Sequence, residues 1–158
     1  MVFDEDDDEF DRDEPTNPDY RESRARVLVV EDDESLRQLI VMRMRREGFD
    51  VVEAGSGDEA LDVLTLAARS PRTFATLDLL VMDVHMPGTS GLEIARMARA
   101  AAWTIPVLLI TAFPDRDVVL EAGRLGVALL AKPFALDRLS EVATAALLSG
   151  RTPVHLPA

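Results

Sequence analysis

The chain has 158 residues, of which 47% are hydrophobic, so it can form one domain with a substantial buried core. It contains no cysteine, which excludes disulfides and thiolate metal sites, and its net charge of -12 disfavours direct contact with DNA. The chain begins with acidic residues, where a secretory signal needs a basic start, and no stretch approaches the roughly 20 apolar residues of a membrane span. We therefore expect a soluble cytoplasmic protein that contacts neither nucleic acid nor membrane directly.

Residues 1–24 form an acidic segment at the start of the chain. They hold eleven Asp or Glu residues against three Arg, a net charge of -8. Because like charges repel and few aliphatic side chains are present to offset chain entropy, we predict a disordered tail. The alternative interpretation is a docking arm for a basic partner, or an intramolecular decoy. Residues 150–158 are predicted to form a second, short tail.

Four short apolar runs follow the acidic segment and predict strands. A continuous apolar run suits a strand that is buried on both faces, which is typical of a parallel sheet. A weaker segment at residues 51–53 predicts an additional strand at an edge. The four apolar runs are residues 27–30, 79–82, 107–110 and 128–131.

Helical patterns alternate with these predicted strands. Apolar residues recur at helical spacing over residues 36–44, and residues 56–59 have the pattern of a capping box that begins a second helix. Further helices are predicted over residues 91–102, 114–125 and 136–148. The alternation predicts a doubly wound α/β fold with helices on both faces of a five-stranded parallel sheet, in the flavodoxin-like order 2-1-3-4-5.

Polar side chains follow four of the predicted strands, at the sheet edge where such folds bind ligands. Glu31 and Asp32 follow the first strand, Asp83 the third, Thr111 the fourth and Lys132 the fifth. Two carboxylates about 4 Å apart repel by roughly 4 kcal/mol at an effective dielectric of about 20, so this cluster needs a cation. Mg²⁺ prefers oxygen ligands and bridges carboxylates to phosphate oxygens. The set therefore predicts Mg²⁺-assisted phosphoryl transfer to a carboxylate.

Each of these residues has a simpler structural interpretation when it is taken alone. An Asp after a strand is more often a helix cap or a loop residue, and Asp33 is predicted to cap the first helix. A lone Lys-Pro pair is more often a turn than a site. A single histidine, His85, beside hard oxygen ligands is a poor transition-metal site. The functional interpretation depends on the ordered set, in which each member lies at the end of a different apolar run.

Four segments of the chain resemble the four signatures of response-regulator receiver domains. They occur in the family's order and with near-family spacing, and jointly they are highly specific. The resemblance covers roughly residues 25–149, which we take as the domain. The segments are VLVVEDD at residues 27–33, MDVHMPG at 82–88, PVLLITA at 106–112 and KPF at 132–134.

The resemblance implies a phosphoacceptor switch that catalyses only its own phosphorylation and dephosphorylation. In the family, a sensor histidine kinase or a histidine phosphotransfer protein supplies the phosphoryl group, and the matching acceptor here is Asp83. Thr111 would move toward the phosphoryl group. Lys132 would hold the phosphate charge, and its bond to Pro133 is expected to be cis.

The resemblance also implies a set of Mg²⁺ ligands. Asp32 would bind the ion directly together with Asp83. Glu31 would act mainly through water, and His85 would contribute its backbone carbonyl and not its ring.

Two positions depart from the family's pattern or vary within it. Leu129 stands where the family usually has Tyr or Phe. In the family this aromatic ring swings inward when the threonine moves and so reports phosphorylation, and this chain lacks that ring. Phe113 occupies a variable position beside the phosphoryl group. We hypothesise that its bulk hinders the hydrolytic water and prolongs the phosphorylated state.

Because few residues follow the fifth predicted helix, we expect no output domain after it. We therefore expect a single-domain response regulator that signals through contacts with an unknown downstream protein; whether phosphorylation also drives dimerisation stays open. One alternative is a degenerate receiver that binds a protein constitutively without phosphorylation, to which Leu129 gives weight. Another is a phosphatase with an aspartyl intermediate. Enzymes of the haloacid-dehalogenase type usually place a second Asp two residues after the nucleophile, where this chain has His85.

Overall fold

The computed structural model describes residues 24–69 and 77–149, and five strands and five helices alternate along these ranges. The predicted tails over residues 1–24 and 150–158 lie, apart from Arg24, outside the described residues. The strands are β1 (Arg26–Val30), β2 (Asp50–Ala54), β3 (Leu79–Asp83), β4 (Val107–Thr111) and β5 (Ala128–Ala131). The helices are α1 (Glu34–Arg46), α2 (Gly57–Arg69), α3 (Gly91–Ala100), α4 (Arg116–Leu125) and α5 (Leu136–Leu148).

The strands form one parallel sheet in the order β2-β1-β3-β4-β5, which confirms the predicted topology. As predicted, the least apolar strand, β2, lies at an edge and pairs with β1. Because all the strands run in the same direction, their carboxyl ends lie at a common edge of the sheet. The residues that follow β1, β3, β4 and β5 therefore approach one another there.

Side chains of the central strands alternate between the two faces of the sheet, and each face is covered by helices. Leu28 and Val30 point into a core shared with α2, α3 and α4, whereas Val27 and Val29 point into a core shared with α1 and α5. β3 and β4 are buried along their whole lengths, which explains why they appear in the sequence as continuous apolar runs.

The helix ends follow the predicted pattern with small differences. Asp33 caps α1 by accepting from the Leu36 N–H at 3.0 Å. Helix α3 ends at Ala100, two residues early, because Ala102 adopts a left-handed φ of 58°. Helix α4 begins at Arg116 and not at 114, because Asp115 serves as its cap.

The predicted capping box of α2 is only half formed. The Ser56 hydroxyl accepts from the Glu59 N–H at 3.1 Å, as expected. The Glu59 carboxylate, however, accepts from the Gly55 N–H and not from that of Ser56. Among residues 24–69 and 77–149, no helix combines the length and the apolar character needed to cross a bilayer.

Candidate functional site

Three carboxylates gather at the carboxyl edge of the sheet. Glu31 and Asp32 lie in the loop between β1 and α1, and Asp83 is the last residue of β3. One carboxylate oxygen from each of them lies within 4.8 Å of the others. Glu31 is 1% exposed and Asp83 4% exposed, whereas Asp32 is open to solvent. The acidic cluster is therefore reachable from outside but is mostly desolvated at its base.

Asp83 is held in place from two sides. Its Oδ1 accepts from the backbone N–H of His85 at 2.9 Å, which fixes the side chain against the following loop. Its Oδ2 accepts from the Lys132 ammonium at 2.5 Å. Helix α3 can begin close to Asp83 because its first residue, Gly91, is glycine: a Cβ there would lie 2.2 Å from the Asp83 carbonyl oxygen.

Lys132 follows β5 directly and reaches two of the three carboxylates. Besides Asp83, its Nζ donates to Glu31 Oε2 at 3.1 Å. Burial opposes the charged form of this lysine, but its hydrogen bonds with Asp83 and Glu31 outweigh that effect and raise the pKa of the ammonium. Lys132 is therefore a fixed positive charge at the acidic cluster. Its peptide bond to Pro133 is cis, as the resemblance implies.

The pKa of Glu31 reflects both its burial and its place among three carboxylates that share one ammonium. Its burial first, and then the charge of Asp83, raise the pKa of Glu31 from 4.5 to about 7. A hydrogen bond from Lys132 works in the opposite direction and is too weak to reverse the effect. With a pKa of about 7, Glu31 is only partly ionised near neutral pH when no additional cation is present.

The donor set of the acidic cluster fits a small hard cation. All three candidate side chains offer carboxylate oxygens, and none within the described ranges adds nitrogen or sulfur to the group. Mg²⁺ takes oxygen ligands and commonly binds through one or two carboxylates plus water. Glu31, Asp32 and Asp83 could therefore hold Mg²⁺.

Thr111 and Phe113, at the end of β4 and just after it, lie at the same edge of the sheet, where His85 follows β3. Thr111 is the last residue of β4 and pairs with Ala131 of β5, the residue that precedes Lys132. The Thr111 Oγ1 accepts from the Phe113 N–H at 3.0 Å. The ring of Phe113 packs edge-on against that of His85, with 6.0 Å between centroids. Phe113 is 69% exposed. Its hypothesised effect on hydrolysis, and a metal bond from the His85 carbonyl, stay predictions.

The structure brings together the predicted Glu31, Asp32, Asp83 and Lys132, and it adds a residue that the sequence pattern did not identify. Arg37 of α1 donates from Nη1 to the Glu31 carbonyl oxygen at 2.9 Å. In the sequence this arginine resembles any other charge on the polar face of a helix. Only the packing of α1 against the β1–α1 loop reveals the contact.

A buried carboxylate, two neighbouring carboxylates and a lysine therefore lie together at the carboxyl edge of a 2-1-3-4-5 sheet, which is the arrangement that the sequence leads us to expect of a receiver domain. The family model described as "Response regulator receiver domain" matches residues 27–144. The chain belongs to this family, and its described domain is a response-regulator receiver domain of a two-component system. The resemblance found in the sequence is confirmed.

Among curated proteins, the transcriptional regulatory protein PdtaR of Mycobacterium tuberculosis is 37% identical over 116 residues. This alignment covers 72% of this chain and 52% of PdtaR. The chain spans about half the length, or less, of the curated relatives that it matches.

Two solved structures illustrate the similarity of the fold. The receiver domain of the Francisella response regulator 1452 is 25% identical, with a TM-score of 0.69 over 80% of this chain and 98% of that domain. The response regulator TrrA of Thermotoga maritima, solved in complex with Mg²⁺-BeF, is 29% identical, with a TM-score of 0.65 over 77% of this chain and 98% of TrrA.

Proposed function

We propose that this chain accepts a phosphoryl group on Asp83, from a sensor histidine kinase or a histidine phosphotransfer protein, in a Mg²⁺-dependent reaction. One observation carries the proposal. The Asp83 carboxylate is buried, accepts a hydrogen bond from the Lys132 ammonium and lies beside two further carboxylates. The output, in this proposal, is a contact with a downstream protein.

The reaction is a displacement at phosphorus. A carboxylate oxygen of Asp83 attacks the phosphorus of a phosphohistidine and forms a new P–O bond. The P–N bond breaks, and its electron pair stays on the imidazole nitrogen of the donor. Asp83 suits this role because its hydrogen bonds to His85 N–H and Lys132 fix the direction of its oxygens before the donor arrives.

The groups around Asp83 stabilise the charge that arrives with the phosphoryl group. Lys132 lies within hydrogen-bonding distance of Asp83 and supplies an ammonium whose charged form is favoured there. Thr111 offers a hydroxyl at the end of the adjacent strand, which would donate to a phosphoryl oxygen. Mg²⁺ bound by Asp32, Asp83 and Glu31 would neutralise the carboxylates and screen the approach of the anionic donor.

The form of the output stays a prediction. PdtaR is described as a transcriptional regulatory protein and is about twice as long as the segment that aligns with this chain. Action as a single domain, signalling by protein contact and the absence of direct DNA binding are parts of this proposal. The acidic net charge of -12 supports protein contact over DNA contact.

Phosphorylation can be measured directly with a small phosphodonor. We expect the chain, incubated with Mg²⁺ and acetyl phosphate, to gain one phosphoryl group per molecule by intact mass, in an adduct that is stable in acid and labile in base. Asp83→Asn is expected to abolish the adduct, because an amide cannot act as the nucleophile. Asp62→Asn makes the same charge change on the exposed surface of α2 and should leave the adduct intact.

Three other outcomes would contradict the proposal. Absence of any adduct with the unaltered chain would favour the degenerate receiver that binds its partner constitutively. An adduct that persists in Asp83→Asn would place the acceptor elsewhere. Fast multiple turnover of unrelated phosphate esters would favour a phosphatase.

A further inference from the structure

The loop between β1 and α1 carries two of the three carboxylates of the acidic cluster, so its position decides their spacing. Its backbone is held on both sides at Glu31. The Glu31 N–H donates to the Ala54 carbonyl oxygen of β2 at 3.2 Å, and the Glu31 carbonyl accepts from Arg37 Nη1 at 2.9 Å. Arg37 lies one turn into α1 and therefore links the helix to the loop that precedes it.

The guanidinium of Arg37 is itself held by β2. Its Nε donates to Glu53 Oε1 at 3.3 Å, and the neighbouring Gln38 donates from Nε2 to the same oxygen at 3.0 Å. The Arg37 side chain is only 15% exposed, unlike a surface arginine that is free to move. A planar guanidinium with several donors in fixed directions is suited to bridging two acceptors in this way.

Space for the guanidinium depends on Gly55, which follows β2. A Cβ built at residue 55 would lie 3.1 Å from Arg37 Nη1, closer than an ordinary contact. Because φ at this glycine lies outside the left-handed region, an alanine there would act by crowding the guanidinium and not by straining the backbone.

Arg37 contacts the backbone of the acidic loop and not its carboxylates. The groups that bond the Glu31 side chain are Lys132 and the Asp33 N–H. Arg37 can therefore orient the loop without competing with a cation for a carboxylate oxygen. In metal sites generally, groups that orient the ligands without touching the metal change its affinity about 10- to 100-fold when they are removed.

We propose that Arg37 is a positioning residue, which bridges the Glu31 carbonyl and Glu53 to hold the β1–α1 loop in the arrangement that binds Mg²⁺. The inference rests on the proposed metal site and deepens it. It assigns to α1 and the edge strand β2 a role in setting the affinity for the cation.

The test measures Mg²⁺ binding itself, by isothermal titration calorimetry on the full chain without any phosphodonor. We expect Arg37→Ala to raise the dissociation constant for Mg²⁺ about tenfold or more. Arg45→Ala removes an exposed arginine from the same helix and should leave the dissociation constant within about twofold. A merely structural role would lower the metal-free melting temperature and leave the Mg²⁺ affinity of the folded protein unchanged, and that result would overturn the inference.

A second variant keeps the test decisive if Arg37→Ala folds poorly. With Arg37 in place, Gly55→Ala should raise the dissociation constant for Mg²⁺ by crowding the guanidinium, and an unchanged dissociation constant would overturn the inference. Where Arg37→Ala does fold, Gly55→Ala should have no further effect in that background. Equal effects of Gly55→Ala in both backgrounds would mean that it does not act through Arg37, and would also overturn the inference.

The outcome is separable from that of the proposed function. Weaker Mg²⁺ binding in Arg37→Ala, together with no phosphoryl adduct on the unaltered chain, would support the inference and contradict the phosphoacceptor role. An adduct on Asp83, together with unchanged Mg²⁺ affinity in Arg37→Ala, would support the phosphoacceptor role and contradict the inference about Arg37.

Discussion

At the scale of single residues, the pKa of Glu31 is set by the groups that surround its carboxyl. It is buried beside Asp83, and burial and that negative charge raise its pKa to about 7. A carboxyl whose pKa is raised on folding stabilises the folded state while it is protonated. This contribution is complete below pH 4.5, the ordinary value, and is lost as the pH rises through about 7.

Replacing Glu31 with Gln should remove this pH dependence. In metal-free buffer, we expect the free energy of unfolding of Glu31→Gln, relative to the unaltered chain, to increase between pH 4.5 and pH 7, by an amount on the order of 2 kcal/mol. Urea unfolding at a series of pH values measures this difference. Glu141→Gln, at an exposed position of α5, should show no such trend. A difference that is constant with pH would mean that Glu31 ionises normally.

Leu129 is the residue at which the sequence departs from its family most clearly. It is half-buried and packs against the core formed with α2, α3 and α4. An aliphatic side chain in this position contributes apolar contact but has no ring to turn inward. If Asp83 is phosphorylated as proposed, the readout that depends on an aromatic ring at this position is therefore not expected in this chain.

At the scale of elements, helices α3 and α4 are joined by two arginines of α3. Arg96 pairs with Glu121 at 2.8 Å on the surface. Arg99 is half-buried and donates to three backbone carbonyl oxygens, those of Leu125, Trp103 and Ile105. Leu125 is the last residue of α4, so Arg99 satisfies an acceptor that the helix end leaves without an internal partner. This residue fixes the end of α4 to the α3–β4 loop.

Truncation of Arg99 should therefore lower the free energy of unfolding much more than the removal of an exposed arginine does. We expect Arg99→Ala to lower the free energy of unfolding by about 2–4 kcal/mol, because several carbonyls lose a charged donor together. Arg124→Ala, which removes an exposed pairing with Glu121 at 3.5 Å, should cost less than about 0.5 kcal/mol. Chemical denaturation compares the two variants. Similar losses in both would show that the Arg99 contacts contribute little.

The start of α3 shows what sequence patterns can miss at this scale. Ser90 and Glu93 form a complete capping box, with both reciprocal bonds present. From the sequence, a capping box is predicted only at Ser56, where the spacing is the same. There the Glu59 carboxylate accepts from the Gly55 N–H, so the box is incomplete. Local spacing identifies candidates, and the path of the preceding loop decides which bonds form.

At the scale of the whole molecule, the dominant feature is excess negative charge. The chain carries -12, and the acidic cluster concentrates three carboxylates against one ammonium. A cation that binds only the folded state stabilises it by mass action, by about 3 kcal/mol at a concentration one hundred times its dissociation constant. If the acidic cluster binds Mg²⁺ as proposed, the ion is therefore expected to stabilise the fold.

Thermal unfolding tests this expectation. We expect saturating Mg²⁺ to raise the melting temperature by several degrees, and Asp32→Ala to abolish the rise because it removes the most exposed carboxylate of the acidic cluster. Asp62→Ala is the control for loss of charge alone and should keep the full rise. An equal rise in Asp32→Ala would exclude Asp32 as a ligand.

The sequence alone determined the class of fold and the edge at which the site lies. Buried parallel strands require continuous apolar runs, and parallel connections bring the residues that follow them to one side of the sheet. From this, the approach of Asp83, Lys132 and the acidic pair could be predicted without coordinates.

Only the tertiary structure decided how these groups act on one another. The pairing of Lys132 with Glu31 spans 101 positions of sequence, and the burial that raises the pKa of Glu31 comes from surrounding elements. The bridge from Arg37 to the Glu31 carbonyl depends on how α1 packs beside β2. Hydrogen bonds and desolvation change within fractions of an ångström, and no periodicity in a chain encodes distances of that size.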